Sequence, residues 1–121
     1  MAMEPTLFWK QNRFSMLTAS LILKAQEMGY QVTLGEAYRT EEQSKIYADS
    51  GVGISNSLHR IRLAIDLNLF KNGKYLTDSK DYEPLGEWWE SMSCQDYTLC
   101  WGGRFLKQDG NHFSMGHVGV K

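Results

Sequence analysis

The sequence predicts an α+β fold in which helices pack on a small antiparallel sheet. One long segment has apolar residues at helical spacing, and one later segment alternates apolar and polar residues as a half-buried strand does. Further helix-like and strand-like segments interleave with these two along the chain. With 121 residues the chain has the length of one domain with one hydrophobic core. We therefore expect residues 1–121 to form a single domain.

The first segment is predicted to be a long helix. Thr6 can cap its start, and Gly29 supplies the expected stop after about Met28. Apolar residues recur on one face at helical spacing, and this face is predicted to pack on the core: Phe14, Leu17, Leu21, Ala25 and Met28.

A strand and a short helix are predicted next. Residues 31–38 are typical of a strand, with Val32 and Leu34 on one face. Residues 40–43, Thr-Glu-Glu-Gln, have the form of a capping box, so a helix is predicted to start there and to end around Gly51. Residues 51–56 are predicted to form a loop.

The second half of the chain predicts the remaining elements. Residues 63–70 form the clearest strand, whose second face is shared by Ala64, Asp66, Asn68 and Phe70. Residues 71–74, Lys-Asn-Gly-Lys, are typical of a hairpin turn. Asp81 is predicted to cap a third helix. Residues 101–103 and 112–115 are predicted to be short strands on either side of a turn.

Composition and charge exclude several classes of partner. The formal net charge is -1 and no basic stripe occurs, so we do not expect the chain to bind nucleic acid. The first five residues include an acid and lack a basic region ahead of an apolar run, so no signal peptide is predicted. No apolar run reaches the ~18 residues of a membrane span.

Cys94 and Cys100 lack the spacing of a CxxC pair and are expected to be reduced thiols of a chain made in the cytoplasm.

Two histidines and two aspartates are candidates for a metal site. His59 precedes the strong strand, Asp66 lies on the second face of that strand, and His112 begins a later strand three residues after Asp109. An acid within an aliphatic strand is costly to bury unless it is paired or binds a cation. Two imidazoles and one carboxylate with an open fourth position form a normal catalytic zinc set. The alternative is that Asp66 pairs with an arginine and that the histidines are ordinary surface or core residues.

Three segments resemble one known family. Residues 57–66, Ser-Leu-His-Arg-Ile-Arg-Leu-Ala-Ile-Asp, are similar to its S-x-H-x-x-G-x-A-x-D signature, and residues 109–112, Asp-Gly-Asn-His, are similar to its second motif. Residues 37–40, Ala-Tyr-Arg-Thr, resemble its Tyr-Arg-Ser/Thr segment. The family is that of the zinc D-Ala-D-Ala carboxypeptidases and L-alanyl-D-glutamate endopeptidases, which includes many phage endolysins. Residues 81–89 and 101–103 are similar to its phage members.

The resemblance implies a role for each matching residue. His59, Asp66 and His112 would bind Zn2+. Asp109 would be the general base that takes a proton from the attacking water and later passes it to the leaving amine. Arg39 would stabilise the oxyanion that develops on the scissile carbonyl, and its alternative is a structural salt bridge to a nearby glutamate: Glu36, Glu41 or Glu42.

Three positions near these motifs leave alternatives open. Ser57 would orient a ligand or support the loop, or it is a plain turn hydroxyl. Arg62 stands where the signature has Gly, so the backbone between the two ligands is in question. Its side chain would be tolerated there or would reach into the cleft toward an acidic substrate. His117 lies outside both motifs and is expected to have no part in the site.

The sequence thus predicts a monomeric zinc peptidase that cuts the peptide stem of peptidoglycan. The resemblance favours an L-Ala–D-Glu endopeptidase acting as an endolysin, which would reach the wall by a separate route through the inner membrane. The alternatives are a D-Ala-D-Ala carboxypeptidase and a non-catalytic zinc-binding interaction module of the same fold. A pure binding module has no need of a base beside the metal, and Asp109 is such a base.

Overall fold

The structure, a computed structural model, describes residues 5–51 and 57–121 and confirms the predicted α+β class. Within these residues three α-helices pack on a five-stranded antiparallel sheet. The helices are Leu7–Glu27 (α1), Glu41–Asp49 (α2) and Glu83–Ser91 (α3). The strands are Gln31–Leu34 (β1), Ala64–Lys71 (β2), Lys74–Tyr75 (β3), Leu99–Trp101 (β4) and His112–Met115 (β5). Three 3₁₀ helices connect them: Leu58–Ile61, Ser79–Tyr82 and Gly102–Arg104.

The sheet has the order β1-β2-β5-β4, and the short strand β3 pairs with β2 outside this path. Every pairing is antiparallel. β2 is central, and one of its faces packs into the core through residues that are fully buried or nearly so: Ile65, Leu67 and Leu69. The other face of β2 is therefore free to carry polar side chains.

Helices α1 and α3 cover the core face of the sheet. The predicted apolar stripe of α1 is confirmed, since Phe14, Leu21 and Ala25 are buried. Trp89 of α3 is fully buried and stands edge-on to the Phe14 ring at 5.8 Å and to the Phe113 ring at 6.2 Å. Its indole N–H donates to main-chain carbonyls of β4 and β5, so the one polar atom of this large side chain is satisfied.

Local sequence signals confirm several element boundaries. The Thr6 and Thr40 hydroxyls each accept a hydrogen bond from the main-chain N–H three residues later, at 3.1 Å, as N-caps do. Gly29 ends α1 with a φ of 93°. Asn72 and Gly73 both have positive φ between β2 and β3, which is the backbone of a type I′ hairpin turn.

Three predicted boundaries differ from the structure. The strand predicted over residues 31–38 ends at Leu34, because the one-to-one pairing with β2 is lost there: the Gly35 N–H donates to the Asp66 carbonyl, but the Asp66 N–H donates to the Glu36 carbonyl. Asp81 does not cap α3; it lies inside the 3₁₀ helix Ser79–Tyr82, which Asp78 caps. The strand predicted over residues 101–103 ends at Trp101 and continues as a 3₁₀ helix. The loop predicted over residues 51–56 falls outside the described residues, except for Gly51.

Two further expectations concern membrane-spanning segments and the two cysteines. Among the described residues, no helix is both long enough and apolar enough to cross a membrane. Cys94 and Cys100 are free thiols, and Cys94 is exposed.

Candidate metal centre and active site

The register of the sheet brings Asp66 and His112 together. These residues are direct partners in the antiparallel pair β2–β5, so their side chains point to the same face. Asp66 Oδ1 lies 3.6 Å from His112 Nδ1. Because the neighbouring residues on β2 fill the core, both side chains face away from it.

His59 approaches the same point from the 3₁₀ helix before β2. The Ser57 hydroxyl caps this helix by accepting a hydrogen bond from the His59 main-chain N–H at 3.2 Å. His59 Nδ1 lies 3.2 Å from the Ala37 carbonyl oxygen. A carbonyl oxygen can only accept, so Nδ1 carries the proton and the lone pair is on Nε2. Nε2 lies 3.3 Å from Asp66 Oδ1.

These three residues are placed so that they could hold a metal ion. Their ligand atoms all lie within 4.8 Å of one another, and His59 and His112 are buried. Asp66 Oδ1 is buried without a hydrogen-bond partner. It faces the lone pair of His59 Nε2, and two acceptors at this distance need a cation or a proton between them. The donor set of two imidazoles and one carboxylate fits zinc with a fourth position left open.

The pKa shifts of Asp66 and His59 also indicate that the cluster favours a positive charge. Burial acts to raise the pKa of the Asp66 carboxyl, but the His112 and His59 imidazoles beside it outweigh burial and lower the pKa to about 2. Burial acts to lower the pKa of His59, but the neighbouring Asp66 carboxylate outweighs burial and raises that pKa. Without a metal, therefore, a proton on His59 is stabilised at the position that suits a cation.

Asp109 lies at the rim of this cluster, on the loop before β5. Its Oδ2 is 3.9 Å from His112 Nδ1, and its side chain is 53% exposed. The loop is held by main-chain hydrogen bonds from Asp109 N–H to the Gly102 carbonyl at 2.9 Å and from His112 N–H to the Asp109 carbonyl at 3.1 Å. Partial burial raises the pKa of the Asp109 carboxyl, the charge of Asp66 raises it further, and His112 opposes both. A carboxylate in this position can accept a proton from a molecule bound at the cluster.

Arg39 also borders the cluster, but it has a partner. Its guanidinium forms an ion pair with Glu36 Oε1 at 2.6 Å and stacks over the Tyr47 ring at 4.8 Å. Its side chain is only 13% exposed. The structural salt bridge considered from the sequence is therefore present, and Glu36 is the glutamate that forms it. Since Arg39 also lines the cleft, its remaining N–H groups are available to a ligand there.

The predicted residues share one open cleft of about 470 Å³. The sequence had not indicated three further lining residues from the loop before Asp109: Phe105, Lys107 and Gln108. The Phe105 ring packs 5.3 Å from the His112 ring and so limits the movement of that side chain. In the sequence, Phe105, Lys107 and Gln108 are marked only by their closeness to Asp109, because the loop has no periodic pattern.

Two residues from the sequence analysis lie outside the cleft. Arg62 adopts φ 59° and ψ 37°, so it keeps the left-handed backbone for which the signature has Gly. Its guanidinium stacks over the Tyr38 ring at 4.0 Å and lines a separate cavity, not the cleft. His117 contacts Lys10 and does not line the cleft.

An antiparallel α+β sheet that carries a His-Asp-His cluster able to hold a metal ion, with a nearby acid and an arginine, is the arrangement expected of a metallopeptidase. Comparison with known families agrees with this class. The chain belongs to the family of peptidases described as D-alanyl-D-alanine carboxypeptidase, whose pattern matches residues 50–115. The resemblance seen in the sequence is thereby confirmed, and the matched residues include the cluster and Asp109.

A solved structure shares the fold. The crystal structure of the Serratia marcescens L-Ala D-Glu endopeptidase ChiX is similar to the chain with a TM-score of 0.61. The similarity covers 81% of this chain and 77% of that one, with 17% sequence identity. No curated protein matches the chain.

Proposed function

We propose that this protein is a zinc-dependent peptidase that hydrolyses an amide bond in the peptide stem of peptidoglycan. The observation that carries the proposal is the pair of facing acceptors, His59 Nε2 and Asp66 Oδ1, beside His112 in an open cleft. Family membership supports the reaction, and the cleft supports a peptide as substrate. His59, Asp66 and His112 would hold the zinc ion, which would supply Lewis-acid polarisation and lower the pKa of water when bound.

Asp109 moves the proton in this proposal. Its carboxylate accepts a proton from the attacking water and passes it to the leaving nitrogen as the amide bond breaks. A raised pKa suits this double role, because a carboxyl group with a pKa nearer to neutral both holds and releases a proton more readily. Its position at the rim of the cluster lets it reach water without being a ligand.

Arg39 stabilises the negative charge that develops on the scissile carbonyl oxygen. The ion pair with Glu36 fixes the guanidinium before the substrate arrives, so little reorganisation is needed in the transition state. The stacking on Tyr47 restrains the same group from its flat side. Glu36 thus positions Arg39 and does not remove it from the reaction.

Within this function we favour an L-Ala–D-Glu endopeptidase that acts as an endolysin, working as a single-domain monomer after it passes the inner membrane by a separate route. The phage-like segments at residues 81–89 and 101–103 support this choice. A D-Ala-D-Ala carboxypeptidase is the second candidate, and the family description favours it. A non-catalytic zinc-binding module is disfavoured by the position of Asp109 beside the cluster.

The test separates metal ligands from the base. Wild-type protein should carry about one zinc per chain, and His59→Ala should lose most of it. Asp109→Asn should keep zinc while hydrolysis of purified peptidoglycan falls by at least ~10²-fold, as loss of a general base does. Asp96→Asn, at an exposed position outside the cleft, is the matched control and should match wild type. Full activity of the metal-free protein would refute the zinc assignment, and zinc lost from Asp109→Asn would make Asp109 a ligand.

A further inference from the structure

A second concavity lies between α1, residues 37–38 and the start of β2. This apolar groove has a volume of about 360 Å³, and none of the described residues lines both the groove and the cleft. Phe14, Ala64 and Ile65 are its buried lining residues, and the Phe14 ring is fixed by its edge-on contact with Trp89. The groove is therefore separate from the metal cluster and is formed before any ligand binds.

We infer that the apolar groove binds a single-chain fatty acid, with the alkyl chain against the apolar lining and the carboxylate paired with Arg62. The inference does not depend on the proposed function, because it uses neither the metal cluster nor Asp109. It assigns a second binding site to the chain, for an amphipathic anion.

The size and the lining of the groove suit an alkyl chain. Small-molecule sites have volumes of about 300–1,000 Å³, and the groove lies within this range. A preformed site of this kind costs little free energy to order on binding. Most of its lining side chains are apolar or aromatic: Phe14, Ala37, Tyr38, Ala64 and Ile65.

The polar side chains of the lining disfavour a peptide as the ligand. The Gln11 amide N–H donates to the Ile61 carbonyl at 2.8 Å, and the Ser15 hydroxyl donates to the Asn12 carbonyl at 2.7 Å. Among the described residues, the buried Thr18 hydroxyl oxygen has no hydrogen-bond partner. A peptide would bring several main-chain N–H and carbonyl groups, each of which needs a partner. An alkyl chain brings none, so it fits this lining better.

Arg62 supplies the charge that selects an anion. It is the only charged residue among the described residues that line the groove, and no carboxylate of the described residues forms an ion pair with it. Its guanidinium lies over the Tyr38 ring at 4.0 Å. Stacking of this kind leaves N–H groups at the edge of the guanidinium available to a carboxylate.

The backbone of Arg62 is a second indication. Arg62 has a φ of 59°, in the left-handed region that favours glycine, and it stands where the signature has Gly. Glycine would form this turn with less strain, so the turn by itself does not explain an arginine. A cation at the rim of an otherwise uncharged groove does explain it.

The test is a titration of the full chain, followed through its amide NMR signals, with decanoate, octanoate and acetate at concentrations that form no micelles. Decanoate should shift signals of the groove, those of Ser15, Thr18 and Tyr38 among them. It should bind about 3- to 15-fold more tightly than octanoate, because each buried methylene strengthens binding by up to about fourfold. Acetate has the carboxylate without the chain, so it controls for binding at the metal cluster and should not shift these signals.

A charge variant tests the role of Arg62. Arg62→Gln should weaken decanoate binding by about 3- to 10-fold and leave the binding of decanol, which has no charge, unchanged. Arg62→Lys should retain part of the decanoate affinity, because it keeps the charge. Arg13→Gln removes the same charge from α1 outside the groove and should bind decanoate as wild type does.

A shape variant tests the groove itself. Ser15 is exposed, so Ser15→Trp should fold normally while its indole fills the groove. Both decanoate and decanol should then lose their binding. Ser20→Trp places the same side chain at an exposed position of α1 that does not line the groove, and it should bind both ligands as wild type does.

The possible results decide the inference without reference to peptidase activity. Binding that Ser15→Trp removes and Arg62→Gln weakens supports it. Equal decanoate affinity in Arg62→Gln and wild type, or shifts confined to signals outside the groove, overturns it. Binding to anionic phospholipid vesicles without binding of monomeric decanoate also overturns it, since the surface would then be a membrane contact. The proposed function is unaffected by each of these results.

Discussion

Replacing Gly102 by alanine should damage catalysis more than metal binding. Gly102 is buried directly beneath the loop that carries Asp109, and its carbonyl accepts the Asp109 main-chain N–H. A Cβ at this position would lie 2.1 Å from the Asp109 carbonyl oxygen and 2.8 Å from His112 Cβ. The smallest possible side chain therefore pushes on the base and, less strongly, on one ligand.

The size of the effect follows from these distances. Ordinary contact begins at 3.4 Å, so the Asp109 carbonyl must move by more than about 1 Å, whereas His112 must move by about half as much. A displacement of about 1 Å at a reacting group costs roughly 10²-fold in rate. Overpacking of a buried site costs about 1–3 kcal/mol of stability, which corresponds to a melting temperature lower by roughly 4–12 °C in a domain of this size.

The assay compares zinc content, melting temperature and the rate of peptidoglycan hydrolysis for Gly102→Ala. We expect the variant to be folded, to bind about one zinc at saturating metal, and to turn over roughly 10²-fold more slowly. Gly116→Ala is the matched control, since its Cβ would meet no atom closer than 3.5 Å. A Gly102→Ala rate within threefold of wild type would show that the position of this loop does not govern the reaction.

Three further variants test other contacts of the site and its support. Arg39→Lys should fold normally but lower kcat by about 10²–10³-fold, because an ammonium does not reproduce the planar guanidinium. Arg13→Lys on α1 is the control. An unchanged rate for Arg39→Lys would leave Arg39 with a structural role. Arg62→Gly should change the free energy of unfolding by less than about 1 kcal/mol in chemical denaturation and leave activity intact, because relief of its positive φ offsets loss of the Tyr38 contact. Tyr82→Phe should lower the free energy of unfolding by about 1–3 kcal/mol, because the Leu69 N–H and the Leu76 carbonyl both lose the Tyr82 hydroxyl as a partner. A loss under about 0.5 kcal/mol would contradict this.

The elements that the sequence predicted well are those with a local cause. The apolar stripe of α1, the alternation along β2 and the Thr6 and Thr40 caps depend on residues within a few positions of one another. The ligand candidates follow from β2 as well, because Asp66 stands out only when its neighbours are known to fill a core. His59 and His112 were already candidates from their positions beside predicted strands, and the resemblance then supplied the roles that spacing left open.

What the sequence missed depends on contacts between distant segments. β1 ends early because its pairing with β2 shifts at Gly35 and Glu36, opposite Asp66, some 30 residues further along the chain. The choice of Glu36 among three possible partners of Arg39, and the packing of Arg62 on Tyr38, depend on how the segment before α2 crosses the 3₁₀ helix that holds His59. Phe105, Lys107 and Gln108 line the cleft because Gly102 and Trp101 fix their loop, and no periodic pattern reports that.

The fold holds the proposed metal ligands and the proposed base in different ways, which would separate metal binding from catalysis. Asp66 and His112 are paired across the centre of the sheet, where the Asp66 and Leu67 main-chain N–H groups are also hydrogen-bonded, to Glu36 and Asn111. Asp109 lies on a loop that depends on a glycine contact beneath it. Changes in residues 102–110 should therefore remove hydrolysis before they remove zinc. A change of this loop that spared the sheet should therefore leave a metal-binding protein without peptidase activity, so the proposed catalysis depends on the loop as well as on the ligands.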